Sequence, residues 1–170
     1  IFKIHKIIMA KIKQLFLLLI MIHCFNTEAQ RVVPGAERVN YYIPLLKDKS
    51  IGLIANQTSL VNKTHLVDTL LSLNINILRI FSPEHGFRGV ADAGDYVNNG
   101  IDTKTGTPII SLYGKNKKPT SNQLSGIDIL VFDIQDVGAR FYTYISTLHY
   151  VMEACAENNI SLIVLDRPNP

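Results

Sequence analysis

Five short apolar runs, almost unbroken by polar residues, recur along the chain at Ile51–Ala55, Ile75–Phe81, Pro108–Leu112, Ile127–Ile134 and Ser161–Leu165. A strand that is apolar on both sides needs cover on both sides, which is the signature of a parallel sheet between helix layers. The intervening segments carry helical signals. Leu66, Val67, Leu70 and Leu71 fall at helical spacing behind Thr64, a candidate cap. Thr120-Ser121-Asn122-Gln123 has the form of a capping box. Residues 141–157 read as a helix with Leu148, Val151, Met152 and Cys155 on the buried stripe, and a short helix is expected over Glu37–Leu46, bent or broken near Pro44. The alternation predicts an α/β fold: an open parallel sheet with helices on both faces.

Right-handed crossovers between parallel strands bring every carboxyl end to one edge, where open α/β sheets bind their ligands. That edge collects Asn56, Glu84, His85, Arg88, Asp133, Gln135, Asp136, Arg140, Asp166, Arg167 and Asn169. The densest stretch is Ser82-Pro83-Glu84-His85-Gly86-Phe87-Arg88-Gly89, in which Pro83 fixes the backbone before Glu84 and Gly86 frees it just after. It opens a polar segment, 86–107, that holds five of the ten glycines together with Asp92, Asp95 and Asp102. A loop of that length is usually functional or mobile.

The residues alone leave alternatives open. Glu84 reads as a site carboxylate, as a turn cap or as a partner of Arg88. Asp136 and Arg140, in the second cluster Asp133–Arg140, serve a ligand or pair with each other to shape their loop. Arg88 and Arg140 can each grip a carboxylate with two nitrogens. The rings of Tyr142 and Tyr144 suit stacking on a sugar, although Tyr144 equally suits the first core position of its helix. Lys115, Lys117 and Lys118 read as a solvated surface run.

The formal charge of +3 sits at the amino end. Residues 1–29 hold Lys3, Lys6, Lys11 and Lys13 against Glu28, so 30–170 carries 13 basic and 13 acidic residues and no footprint for nucleic acid. The basic start, the apolar run Leu15–Ile22 and the small residues around Thr27-Glu28-Ala29 predict a signal peptide over 1–29, with 30–170 as the folded domain. The apolar run falls short of the roughly 20 residues a bilayer span needs, so no stable membrane span is expected after cleavage. The expected location is the periplasm or the exterior. Cys155 would then stand alone and reads as a buried, inert thiol.

The sequence lacks the glycine fingerprints of dinucleotide and P-loop sites, the G-x-S-x-G elbow and H-E-x-x-H. His65, His85 and His149 have no ligand spacing, so no metal and no cofactor is expected. Carboxylates, arginines and tyrosines remain, a workable set for glycoside hydrolysis, in which one carboxylic acid protonates the leaving oxygen and a second group activates water or attacks carbon.

Four motifs carry a family likeness: Asn56-Gln57-Thr58-Ser59, Ser82–Gly89, Val131–Tyr144 and Leu165-Asp166-Arg167-Pro168-Asn169-Pro170. From about Gly35 to Pro170 the chain resembles the exo-β-N-acetylmuramidases of the NamZ type, long catalogued as a domain of unknown function. The resemblance implies a Rossmann-like N-terminal domain, a smaller C-terminal domain and an active site in the cleft between them. It implies cofactor-free release of N-acetylmuramic acid from the non-reducing end of peptidoglycan fragments, with muramyl saccharides as partners. The motif glutamate, here Glu84, is the family's proposed catalytic residue. On that basis His85, Asp133 and Asp136 are candidates for assisting acid/base work, and Arg88 and Arg140 for holding the lactyl carboxylate. Asn56, Gln135, Tyr142, Tyr144, Asp166 and Arg167 complete the candidate substrate-binding set. Such proteins are roughly twice this length, so the expectation is an N-terminal fragment lacking the second domain. A non-catalytic sugar-binding module and an inactive truncation are the competing readings.

Overall fold

In the computed structural model, residues 2–24, 32–88 and 99–169 are described. Two compact units divide the chain, Ile1–Val32 and Val33–Pro170. The first contains helix α1 (Phe2–Cys24), and among the described residues no helix is long and apolar enough to cross a membrane. The expected cleavage site at residues 27–29 lies outside the described residues.

The second unit opens with a 3-10 turn (Gly35–Glu37) and α2 (Val39–Leu46), followed by β1 (Ser50–Ala55). A small hairpin of β2 (Leu60–Val61) and β3 (Thr64–His65) leads into α3 (Leu66–Ser72) and β4 (Asn76–Ser82). After β5 (Gly100–Ile101) come β6 (Pro108–Ser111), α4 (Ser121–Leu124), β7 (Ile129–Asp133), α5 (Tyr144–Asn158) and β8 (Ser161–Val164). The larger sheet runs in the order β5-β6-β4-β1-β7-β8, parallel throughout except that β5 lies antiparallel on β6. The five parallel strands therefore have the Rossmann-like order 3-2-1-4-5, which reverses between β1 and β7.

Alternation along the strands supplies two cores. Ile51, Leu53, Ile129 and Val131 face one way and pack with Tyr42, Leu46, Leu66, Val67 and Leu70 from α2 and α3. Ile54, Leu130 and Phe132 face the other way, against Leu124 of α4 and Tyr144, Val151, Ala154 and Cys155 of α5. Helices thus cover both faces. The register slips between Ile51 and Gly52, pairing them with Ile77 and Arg79, which is why Ile77 and Ile80 share a face three residues apart.

Several local expectations change. Helix α2 runs through Pro44 to a fully buried Leu46, and Lys47 N–H still bonds the Ile43 carbonyl. A proline there forfeits one bond near the helix end, and the anchored last turn offsets it. Thr64 belongs to the hairpin. The cap of α3 is His65, whose Nδ1 accepts from Val67 N–H at 3.3 Å. The fifth helix begins at Tyr144, and Met152 is 54% exposed while Thr147 and Ala154 join the buried stripe. Cys155 is buried, and burial pushes its thiol up to about 11.

Candidate active site

The strand order reverses beside β1, and the chain leaves β1 at Asn56, a fully buried residue. Its Oδ1 accepts from Thr58 N–H (2.9 Å) and Thr58 Oγ1 (2.7 Å) in an Asx-type turn. Its main-chain N–H donates to Ser59 Oγ at 3.0 Å, and His65 Nε2 donates to its carbonyl at 2.9 Å. Because Nδ1 of His65 accepts from an amide, Nε2 carries the proton and the ring is neutral; burial lowers its pKa. Ser59 Oγ donates in turn to the Asp133 carbonyl at the end of β7. The ends of β1 and β7 are thus tied together.

Glu84 follows β4 by two residues and is half-buried. His85 (φ 71°) and Gly86 (φ 78°) are both left-handed, which turns the chain sharply just after Glu84. Phe87, 4% exposed, pins the turn to the core and meets the His65 ring edge-on at 4.6 Å between centroids. Glu84 lines one cavity of about 160 Å³ with Tyr113, Thr143 and Tyr150, and a second of about 260 Å³ with His85, Tyr142 and Tyr144. A hydrogen bond to Glu84 raises the pKa of the half-buried Tyr113. Burial raises that of Tyr144; the nearby Asn56 amide works against it, and the Glu84 charge adds to it.

A third cavity, about 340 Å³, adjoins the second through His85, Tyr142 and Tyr144 and extends to Gln57, Thr58, Gln135 and Val137. Together these hollows gather Glu84, His85, Gln135, Tyr142 and Tyr144 at the carboxyl ends of β4 and β7, while Asn56 is fully buried and lines none of them. Of the remaining candidates, Asp136, Asp166 and Arg167 border a separate hollow of about 390 Å³ beside Ile145 and Val164. Asp166 is exposed, and so is Arg140, which has no ion-pair partner among the described residues; of the two readings of Asp136 and Arg140, the mutual ion pair does not form.

Three expectations are corrected by ion pairs. Arg88 is not free to hold a ligand: Nε and Nη2 each lie 2.8 Å from an oxygen of Asp102, and Nη2 also reaches Asp68 at 3.3 Å. Asp133 has no exposed surface, and Arg167 clamps it through Nε (2.5 Å) and Nη2 (2.9 Å). Burial pushes the Asp133 carboxyl up and Arg167 pulls it back. Arg167 also donates to the Leu60 carbonyl, so the pair braces the edge and neither member presents itself to a ligand. Sequence reasoning missed Asp68, Lys104, Tyr113 and Tyr150. The first two pair across 36 residues and Tyr113 follows a different strand from Glu84, separations that no local pattern reports.

Comparison with known proteins agrees with this fold. Residues 51–170 match the family model described as exo-β-N-acetylmuramidase NamZ, N-terminal. A curated relative, the peptidoglycan β-N-acetylmuramidase NamZ of Bacillus subtilis (strain 168), is 56% identical over 134 residues, covering 76% of this chain and 32% of that protein. Two crystal structures of DUF1343 family proteins from Bacteroides fragilis NCTC 9343 are also similar. One, BF0379, has 47% identity and a TM-score of 0.71, covering 83% of this chain and 36% of its own. The other, BF0371, has 44% identity and a TM-score of 0.74, covering 84% and 36%. The chain spans about a third of the length of these relatives. It belongs to the NamZ family of exo-β-N-acetylmuramidases, and what it matches is the family's N-terminal part.

Proposed function

We propose that this chain is the Rossmann-like part of an exo-acting glycoside hydrolase that releases N-acetylmuramic acid from the non-reducing end of peptidoglycan fragments, with Glu84 as its catalytic carboxyl group. The observation that carries the proposal is the place of Glu84: half-buried at the carboxyl end of β4, the strand next to β1, with cavities on two sides. Glycoside cleavage needs a proton delivered to the leaving oxygen and a second group that activates water or attacks carbon. Glu84 supplies the proton, and the phenols of Tyr113 and Tyr144 border it as neutral hydrogen-bonding groups. His85 is the nearest second candidate in sequence and shares a cavity with Glu84. Asp136 serves a second role only if the sugar reaches its separate hollow. Lys117, which lines the first Glu84 cavity, and Arg140, exposed and without an ion-pair partner among the described residues, are the cations left for the lactyl carboxylate. Tyr142 offers a half-exposed ring for stacking.

The basic, apolar start of the chain supports export to the periplasm or the exterior, where peptidoglycan lies. The test is hydrolysis of a muramyl-glucosamine disaccharide followed by release of N-acetylmuramic acid. Glu84→Gln is expected to lower turnover by about 10²–10⁴-fold without changing the fold. An unchanged rate in the folded variant would overturn the assignment.

A further inference from the structure

Glu84 and Tyr113 occupy matching places on neighbouring strands. Strands β4 and β6 run parallel with Ser82 opposite Ser111, and Leu112 N–H donates to the Ser82 carbonyl at 2.8 Å, so the ladder carries on past the end of β6. Glu84 lies two residues beyond Ser82, and Tyr113 two beyond Ser111. Each is followed at once by left-handed backbone, at His85 and Gly86 after Glu84 and at Gly114 (φ 70°) after Tyr113. The second turn is fastened: Tyr113 N–H donates to Ser111 Oγ at 3.3 Å, and Asn116 Nδ2 donates to the Ser111 carbonyl at 2.7 Å. Both side chains line the 160 Å³ cavity, where the Tyr113 phenol hydrogen-bonds to the Glu84 carboxylate.

A glutamate side chain is long and rich in rotamers, and an acid that must meet one oxygen atom needs something to hold it. Arg88, four residues along, is committed to Asp102 and Asp68, and no ion pair fixes Glu84 among the described residues. The other titratable groups that line its two cavities are Lys117 and Tyr150 in the first, and His85, Tyr142 and Tyr144 in the second. A carboxylic acid carries its proton on one oxygen and accepts through the other. We propose that Tyr113 is a positioning residue for Glu84: its O–H donates to one carboxyl oxygen, so that the proton delivered to the leaving oxygen sits on the other. Once that proton has gone, the same O–H donates to the same oxygen of a carboxylate, and the bond becomes charge-assisted. The side chain is thus held in one orientation before and after the transfer.

The role rests on the glycosidase reading and is tested apart from it with Tyr113→Phe. Hydrolysis of the muramyl-glucosamine disaccharide is expected to lose about tenfold in kcat while KM stays within about twofold, because the phenol acts on the acid and not on the sugar. Removing a donor to the ionised form also displaces the titration of Glu84, read from the NMR signal of its side-chain carboxyl carbon and assigned with Glu84→Gln. The expected displacement is about half a pH unit upward, or about threefold in proton affinity, and the pH–rate profile moves the same way. An unchanged kcat, or a carboxyl titration superimposed on the native one, in the folded variant overturns the positioning role alone. Should the variant fail to fold, the native chain decides: the oxygen-bearing ring carbon of Tyr113 follows the Glu84 titration with the same midpoint, and a signal that stays still overturns the role. Hydrolysis that survives Glu84→Gln overturns the glycosidase reading instead, and the role with it.

Discussion

Arg167 meets Asp133 with two nitrogens, Nε at 2.5 Å and Nη2 at 2.9 Å, joining the chain that follows β8 to the last residue of β7. Asp133 is fully buried and the Arg167 side chain is 8% exposed, so loss of either partner strands a charge away from water. Asp133→Ala is therefore expected to cost about 3–5 kcal/mol. A urea titration followed by circular dichroism checks this, and a midpoint equal to that of the native chain would contradict it. Replacing both residues by apolar ones of similar size should cost less than either single change.

The Arg88 cluster predicts sensitivity to acid. Arg88, the first cause, holds the Asp102 carboxyl at about 2, below its ordinary 3.8, and Thr105 adds a hydrogen bond. In Asp68 burial works upward, but Lys104 and Arg88 outweigh it and the pKa is lowered. Depressed carboxyls stabilise fully above the unfolded value, and that contribution disappears as pH falls through the folded one. For Asp102 the window runs from about 3.8 down to about 2, with about 2 kcal/mol at stake. Arg88→Gln should melt well below the native chain at pH 6, and the two should converge near pH 2. A constant gap would refute the pairing.

Glu84 and the phenols around it can be read optically. Its hydrogen bond is the first cause of the raised Tyr113 pKa, and its charge also raises that of Tyr144, where burial dominates. Glu84→Gln removes the charge, so part of the tyrosinate absorbance near 295 nm should appear at lower pH than in the native chain. Superimposable titration curves would separate Glu84 from both rings.

Two glycines mark tight approaches of unequal severity. A Cβ on Gly52 would lie 2.3 Å from Leu130 Cδ2 and 2.9 Å from Ile127 Cδ1, which are the ends of side chains and not backbone. One on Gly35 would lie 2.6 Å from Asp166 N and 2.8 Å from the Leu165 carbonyl carbon, which are backbone. Gly52→Ala is expected to cost about 1–3 kcal/mol and Gly35→Ala more, because the latter must also loosen the Gly35 N–H bond to Asp166 O. Thermal melts of the two variants give the ranking, and the reverse order would show that the lead-in is not fastened there.

The parallel sheet was legible because burial on both faces writes itself as apolar runs; all five predicted runs appear as strands β1, β4, β6, β7 and β8. The β2–β3 hairpin and β5 were not, since two-residue strands such as Thr64–His65 owe their pairing to neighbours and carry no period. Glu84 and Asn56 could be placed at the working edge because that follows from strand polarity alone. What could not be read was occupancy: whether Arg88 and Arg167 face ligand or aspartate depends on Asp102, Asp68 and Asp133, fixed only by long-range packing.

Consecutive left-handed residues at positions 85 and 86 impose an order on any mutagenesis of the S-P-E-H-G turn. The backbone there filters candidates before imidazole chemistry is consulted: glycine, asparagine and aspartate enter readily, while valine, isoleucine and threonine are refused on steric grounds. Asparagine is accordingly the informative replacement for His85, since it keeps the bend and discards the ring, whereas a β-branched substitute would report on geometry and be mistaken for chemistry.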